Sequence, residues 1–379
     1  MITADHGQRL RLTCSRDELL ARLQIVGRAV SARSSVQILS GILFDAGDGE
    51  RPPLLAATDM ELSVRAPLDA EVAEGGRAVL PGRLLLDIVR RLPAGPVSIT
   101  LAEGGGLATI EAGASEYKLH TYGADDYPEL PEIDRERLFT VEREAFLEAV
   151  ERVVHAASRD EARPVLTGVH VELGLGTLTV AATDSYRLAV RTAVLEGGPA
   201  EDITAIIPAR ALGELVRIAQ GSTATSVEIV AERNQVLFGI DDVWLSARVI
   251  EGQFPNFRAL RPDAFEHEVV LPRAELAEVL SRMELLAQRT SPLRLRFEPG
   301  ELTVSAQTQE VGESRERLPC DFRGEPLEIG FNAAYLRDGV MAVGGDEVHL
   351  KLISSLRPGL LTAGGDDFWY LVMPIRLSG

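Results

Sequence analysis

Residues 12–31, LTCSRDELLARLQIVGRAVS, return as residues 139–158, FTVEREAFLEAVERVVHAAS, and more weakly as residues 269–288, VVLPRAELAEVLSRMELLAQ. Arg16, Arg143 and Arg273 mark the same point in each copy, 127 and 130 residues apart. Each copy starts as a strand end, passes a polar cap position, and continues with apolar residues at helical spacing. Leu19, Leu20, Leu23, Val26 and Val30 fall on one face of the first helix; Phe146, Ala149, Val150, Val153 and Val154 do so in the second.

Three further markers keep nearly the same period. AVLPGRLLLDIVRRL around Pro81 returns as AIIPARALGELVRIA around Pro208, and proline suits a first helical position because its missing N–H would be unpaired there. The third copy has Asn332 in that place, a residue that caps helices. AATDMELSV at Thr58-Asp59 returns as AATDSYRLAV at Thr183-Asp184, and Tyr127-Pro128 as Phe254-Pro255. The chain therefore reads as three modules of one plan, residues 1–134, 135–263 and 264–379. Alternating or β-rich runs lie between the helices, at 41–45, 168–173, 178–182, 227–230, 243–250, 293–297 and 370–376. The expected fold class is α+β, each module carrying two helices over one face of β-sheet and about eight strands.

Composition bounds the function. The 379 residues, at ~100–200 per domain, allow two to four domains. Lys and Arg number 39 against 57 Asp and Glu, a net charge of −18, so the mean field repels a polyanion. A nucleic-acid role must work without strong affinity or through locally gathered arginines. No apolar run approaches the ~18 residues of a membrane span. The start, MITADHGQRLRL, has no basic stretch followed by an apolar one, so no secretory leader is expected. Cys14 and Cys320 stand far apart with no CxxC, which argues against a disulfide scaffold or zinc knuckle and fits a reducing, cytoplasmic setting.

Signs of catalysis are missing. There is no GxxxxGK[ST], HExxH or GxSxG, and no GxGxxG after a strand. His6, His120, His155, His170, His267 and His349 are scattered without metal spacing. Asp59 and Asp184 form a pair of carboxylates on paper, but their recurrence in two modules points to a turn in which Asp bonds its own backbone. No metal or cofactor is expected. A repeat scaffold that binds only proteins remains open at this level.

The whole chain resembles the bacterial DNA sliding clamp, the beta subunit of DNA polymerase III. The resemblance is most specific in TGVHVELGLGTLTVAATDSYRLAV (167–190), IEGQFPNF (250–257) and the terminal YLVMPIRL (370–377). It implies a clamp fold: a head-to-tail homodimer closed into a six-module ring around double-stranded DNA, with helices lining the hole. It also implies a non-catalytic processivity factor that tethers the DNA polymerase III alpha subunit, the clamp loader and other replication and repair proteins. A diverged second clamp with an altered pocket would look the same.

The arginines Arg22, Arg28, Arg83, Arg90, Arg91, Arg152, Arg210, Arg217, Arg282 and Arg289 lie on or beside the repeated helices. Periodicity alone favours reading them as solvated faces of amphipathic helices; the threefold repetition favours a ring. The resemblance implies DNA contacts at Arg33, Arg83 and Arg210, joined along the helices by Arg28, Arg90, Arg152 and Arg217. It implies a peptide pocket made by Arg163, Leu166, Thr183, Tyr186, Arg187, Leu188, Pro255, Leu260, Tyr335, Leu356, Pro358, Leu371, Val372, Met373, Pro374, Ile375, Arg376 and Leu377. Apolar walls with a flexible methionine accept Leu or Phe anchors, and Arg163, Arg187 and Arg376 would hold carbonyls or carboxylates at the rim. Residues 371–377 also read as an ordinary last strand, although Pro374 suits an exposed edge. The dimer contact would join the strand of Tyr117 to Leu285 and Leu286, with Glu310, Glu313 and Glu316 facing Lys118 or arginines of the neighbour.

Overall fold

The computed structural model describes residues 9–31, 36–47, 52–101, 105–287, 292–308 and 311–377. Contacts divide the chain into two compact units, Met1–Thr140 with Arg217–Arg248, and Val141–Val216 with Val249–Gly379. Six α-helices occur among the described residues: α1 (Arg16–Val26), α2 (Gly82–Val89), α3 (Arg143–Val154), α4 (Ala209–Ala219), α5 (Arg273–Glu284) and α6 (Ala333–Ala342).

The helices form where the repeats place them. Ser15 caps α1 by accepting from the Glu18 N–H at 3.1 Å, with Asp17 and Glu18 in the positive first turn. Leu19, Leu23 and Val26 are buried beneath α1, and truncating one such Leu to Ala costs about 2–5 kcal/mol. The helix stops at Val26 and a 3₁₀ turn, Gly27–Ala29, follows, so Val30 lies beyond the helical face. Asn332 caps α6, its Oδ1 accepting from the Tyr335 N–H at 3.1 Å. Pro81 is extended (φ −57°, ψ 106°) and ends its strand, so it stands at the cap of α2 rather than in its first turn. Pro208 likewise ends the strand before α4.

In the first unit, a five-stranded sheet has the order Glu71–Glu74, Leu10–Ser15, Pro96–Leu101, Leu107–Ala112, Ser115–His120. An eight-stranded sheet runs Arg77–Pro81, Gly41–Asp45, Leu54–Thr58, Leu62–Pro67, Val243–Arg248, Gln235–Ile240, Ser226–Ala231, Phe139–Glu142. In the second unit, an eight-stranded sheet runs Ile203–Pro208, Gly168–Gly174, Thr177–Thr183, Arg187–Val194, Phe368–Val372, Gly359–Thr362, Glu347–Leu352, His267–Pro272. A four-stranded sheet runs Leu327–Phe331, Leu293–Glu298, Gly300–Thr308, Gly312–Cys320.

The two large sheets share one plan. Each joins four strands from one sequence repeat to four from the next, through Leu62–Pro67 against Val243–Arg248 in one and Arg187–Val194 against Phe368–Val372 in the other. These ladders explain why contacts yield two units where the repeats suggest three modules. The last strand also differs from expectation. It is Phe368–Val372, wholly buried and interior, with Pro374 just past its end, because it pairs on both sides.

Candidate functional site

The recurring Thr-Asp turn builds the site. Thr183 Oγ1 donates to the Arg187 carbonyl at 2.6 Å and accepts from the Ser185 N–H at 3.1 Å. Asp184 Oδ1 accepts from the N–H groups of Tyr186 (2.9 Å) and Arg187 (3.0 Å). Ser185 is left-handed, φ 80°. Asp184 is thus a turn former.

Strand register gathers much of the expected pocket at one sheet end. Arg187 opposes Val372, and Val372 opposes Gly359. Tyr186, Met373 and Pro358, each one residue beyond those strand ends, therefore stand side by side. The Met373 N–H donates to the Tyr186 carbonyl at 2.8 Å. Leu166 lies in the 3₁₀ turn Pro164–Thr167, which leads into another strand of this sheet, and Thr183 ends the neighbouring strand. Four expected pocket residues are large hydrophobics left in solvent: Tyr186 (60 % exposed), Leu260 (53 %), Leu356 (63 %) and Met373 (46 %). Pro255 is exposed as well, directly after the buried Phe254.

Other expected wall residues are floor. Leu188 and Leu371 are buried in one cluster with Phe254, Phe257, Leu360 and Trp369, and Val372 and Thr183 are buried too. Beyond Pro374 the chain crosses to the four-stranded sheet. The Ile375 N–H donates to the Gly330 carbonyl at 2.7 Å, and Leu377 packs where a side chain on Gly330 would stand. Arg376 is exposed.

Arg187 departs from its expected rim role, because its guanidinium is fully committed. It donates to Asp184 Oδ2 (3.1 Å), Asp338 Oδ2 (2.6 Å) and the His155 carbonyl (2.6 Å), and lies over the Tyr335 ring at 4.3 Å. Its side chain is only 10 % exposed. Burial opposes its charge, but Tyr370, Asp338 and Asp184 outweigh burial and hold its pKa above the ordinary value. The Tyr370 hydroxyl donates to the Tyr335 carbonyl at 2.9 Å, and the His155 ring stacks on Tyr370. Above this network lies a cleft of about 730 Å³, lined by Arg163, Tyr186, Arg187, Tyr335, Asn332 and Asp338 among others. Asp338 and His155 are parts that sequence reasoning missed. Both lie in the repeated helical segments, but nothing in the repeat marks them, and their link to Arg187 spans 151 and 32 residues.

The expected DNA contacts divide. Arg33 lies outside the described residues. Arg83 and Arg90 are exposed at the start and just past the end of α2, and Arg210 and Arg217 are exposed along α4. Within each pair the spacing is two helical turns, so both members share a face. Arg28 is half-buried in the 3₁₀ turn after α1. Arg152 is engaged in packing: it pairs with Glu148 at 2.5 Å, sits over the Phe368 ring at 5.8 Å and rests on Gly344.

Of the expected dimer residues, Tyr117 is exposed in Ser115–His120, the edge strand of its sheet. Leu285 is 85 % exposed just past α5, with Leu286 half-buried beside it. Glu310 lies outside the described residues. Glu316 is held by Arg282 through two bonds of 2.7 and 2.9 Å, which removes it as a partner for Lys118.

Models of the DNA polymerase III beta subunit match at residues 10–131 (N-terminal domain), 140–256 (central domain) and 258–376 (C-terminal domain). The beta sliding clamp of Synechococcus elongatus is 34 % identical over 374 residues, covering 97 % of this chain and all of that one. That of Streptomyces coelicolor is 33 % identical, covering 98 % of this chain and all of its own. The solved DNA polymerase sliding clamp of Bacillus subtilis superposes with a TM-score of 0.89 at 28 % identity, covering 98 % of this chain and all of that chain. The Pseudomonas aeruginosa clamp solved bound to griselimycin gives 0.86 at 28 % identity, with the same coverage. The α+β architecture is that of the clamp fold, and the chain belongs to the sliding clamp family of DNA polymerase III beta subunits.

Proposed function

We propose that this clamp encircles duplex DNA as a head-to-tail homodimer and tethers replication proteins to it. Strand order carries the reading. In both eight-stranded sheets, the strand after the Thr-Asp turn is hydrogen-bonded to a strand of the next repeat. In the smaller sheets the counterparts of those two strands are edges: Gly312–Cys320 on one side and Ser115–His120 on the other. Unpaired edges are templates for another chain. Pairing Ser115–His120 of one copy with Gly312–Cys320 of a second repeats the joint already made twice within the chain. Two such heterologous contacts close a ring of six modules, with the three modules of each chain at 1–134, 135–263 and 264–379. The exposed Tyr117 and Leu285 support this joint, and Glu313, at the start of its strand, supplies a carboxylate for Lys118.

A net charge of −18 makes tight electrostatic binding unfavourable. Arg83, Arg90, Arg210 and Arg217 would touch phosphates weakly, leaving topology to hold the protein while it slides. The exposed Tyr186, Leu260, Leu356 and Met373 would take Leu or Phe anchors of partner peptides, from the polymerase alpha subunit, the clamp loader and other replication or repair proteins. Tethering keeps the polymerase at high effective concentration. The role is non-catalytic and cytoplasmic, and opening the ring falls to an ATP-driven loader, since the chain carries no nucleotide motif. Clamps loaded on circular DNA and washed at high salt should stay, then leave when the circle is cut. Equal retention on circles and linear DNA would rule out encirclement.

A further inference from the structure

We infer that Ser185 is a positioning residue that sets Arg163 for partner recognition, an inference resting on the peptide-binding reading of the surface around Tyr186. The Ser185 hydroxyl oxygen accepts from Arg163 Nη1 at 3.0 Å, while Arg163 Nε donates to Asp160 Oδ2 at 2.9 Å. Asp160 is itself fixed, its Oδ1 accepting from the Ala162 N–H at 3.1 Å. The two bonds join the turn at 160–163 to the turn at 183–187 and fix the guanidinium through its Nε and Nη1 donors. Arg163 Nη2 has no partner among the described residues, and Arg163 lines the same cleft as Tyr186 and Tyr335. A pre-set N–H at that rim suits an oxygen acceptor on a bound segment, because ordering a long side chain beforehand removes entropy from the binding step.

The first unit supplies an internal control. Its turn carries Met60 where the second has Ser185, with φ 79° against 80° and the same backbone bonds. The turn therefore forms without a hydroxyl at that position. In the repeat alignment Val36 stands where Arg163 does, so the first unit lacks both halves of the bond. A left-handed non-glycine residue is strained. Ser185 keeps that strain in an exposed turn where its oxygen serves no backbone bond of the turn; its use is on Arg163.

The test is a double-mutant cycle on the full-length protein, read by binding of a fluorescent hexapeptide with Leu and Phe anchors. Ser185→Ala and Arg163→Ala should each weaken binding roughly three- to tenfold, and the double variant should bind no worse than Arg163→Ala alone. Ser185→Gly should raise the melting temperature by relieving the φ strain while still weakening the peptide; a merely structural role would move both in the same direction. Wild-type affinity in Ser185→Ala, or full additivity with Arg163→Ala, would overturn the inference. A wild-type protein that fails to bind the peptide at all would instead overturn the peptide-binding reading, and the role of Ser185 with it.

Discussion

Met60 and Ser185 stand at the same point of two turns bonded alike, one in each unit, both left-handed. Thr58 and Asp59 hold the first as Thr183 and Asp184 hold the second. What differs is the dressing. Beside the second turn stand Tyr186, Leu188, Leu371 and Met373; at the matching places beside the first stand Glu61, Ser63, Ser246 and Arg248. One backbone device has thus been used twice, and only the second copy has apolar side chains at these four flanking places.

That contrast separates folding from binding. Asp184→Ala removes the acceptor of two N–H groups and leaves Arg187 with one fewer carboxylate, costing about 2–4 kcal/mol. Asp59→Ala loses two N–H partners in the other turn and costs about 1–2 kcal/mol. Urea unfolding should rank them in that order. Peptide affinity should fall only in Asp184→Ala; an equal fall in Asp59→Ala would remove the turn from the pocket.

Met373→Ala combined with Leu377→Ala should weaken a Leu- or Phe-anchored peptide by about tenfold or more, since each truncation deletes apolar contact worth about 1 kcal/mol. The proposed dimer, with its joint assigned to other strands, should persist in sizing experiments. Unchanged peptide affinity would place the anchors at some other surface.

Leu285→Asp alters a side chain that is almost wholly solvent-exposed in the single chain. The fold should lose less than about 0.5 kcal/mol. Light scattering over a dilution series should nevertheless show the dimer dissociating at a concentration at least about tenfold higher. A wild-type dilution curve would exclude Leu285 from the joint.

Acid should loosen the network under the cleft through His155. Burial, helped by Arg187 and only partly offset by Asp338 and the Glu151 carbonyl, holds its pKa below the ordinary value. The unfolded chain takes up a proton near pH ~6.5 while the native imidazole does not, so the native state loses stability as pH falls through that point. His155→Gln should flatten the fall in melting temperature between pH ~7.5 and ~5.5. Glu172 does not act in that window. Arg258 holds its carboxyl down to about 2, so its contribution is complete above the unfolded value of 4.5 and lost only as pH falls toward 2. A slope that survives in His155→Gln would point to other histidines.

The repeat made the helices, the caps at Ser15 and Asn332 and the Thr-Asp turns legible from residues alone, because each is set by neighbours within a few positions. The resemblance also singled out Tyr186, Leu260, Leu356 and Met373, and all four are exposed hydrophobics. The burial of Arg187 was not legible. Its partners Asp338 and the His155 carbonyl come from α6 and the end of α3, and no local pattern records a contact across 151 residues. The same holds for Pro374, which looked like an edge residue until the neighbouring strands Arg187–Val194 and Gly359–Thr362 enclosed the strand before it.

By itself, then, the sequence determined a repeated α+β unit, its periods and its turns, since these depend on local hydrogen bonding and the spacing of apolar residues. Tertiary structure alone decided which strands join successive repeats, which edges stay open and which polar groups are used up inside. Those outcomes depend on pairing between distant segments, where the partner, not the residue, sets whether a side chain is floor, wall or rim.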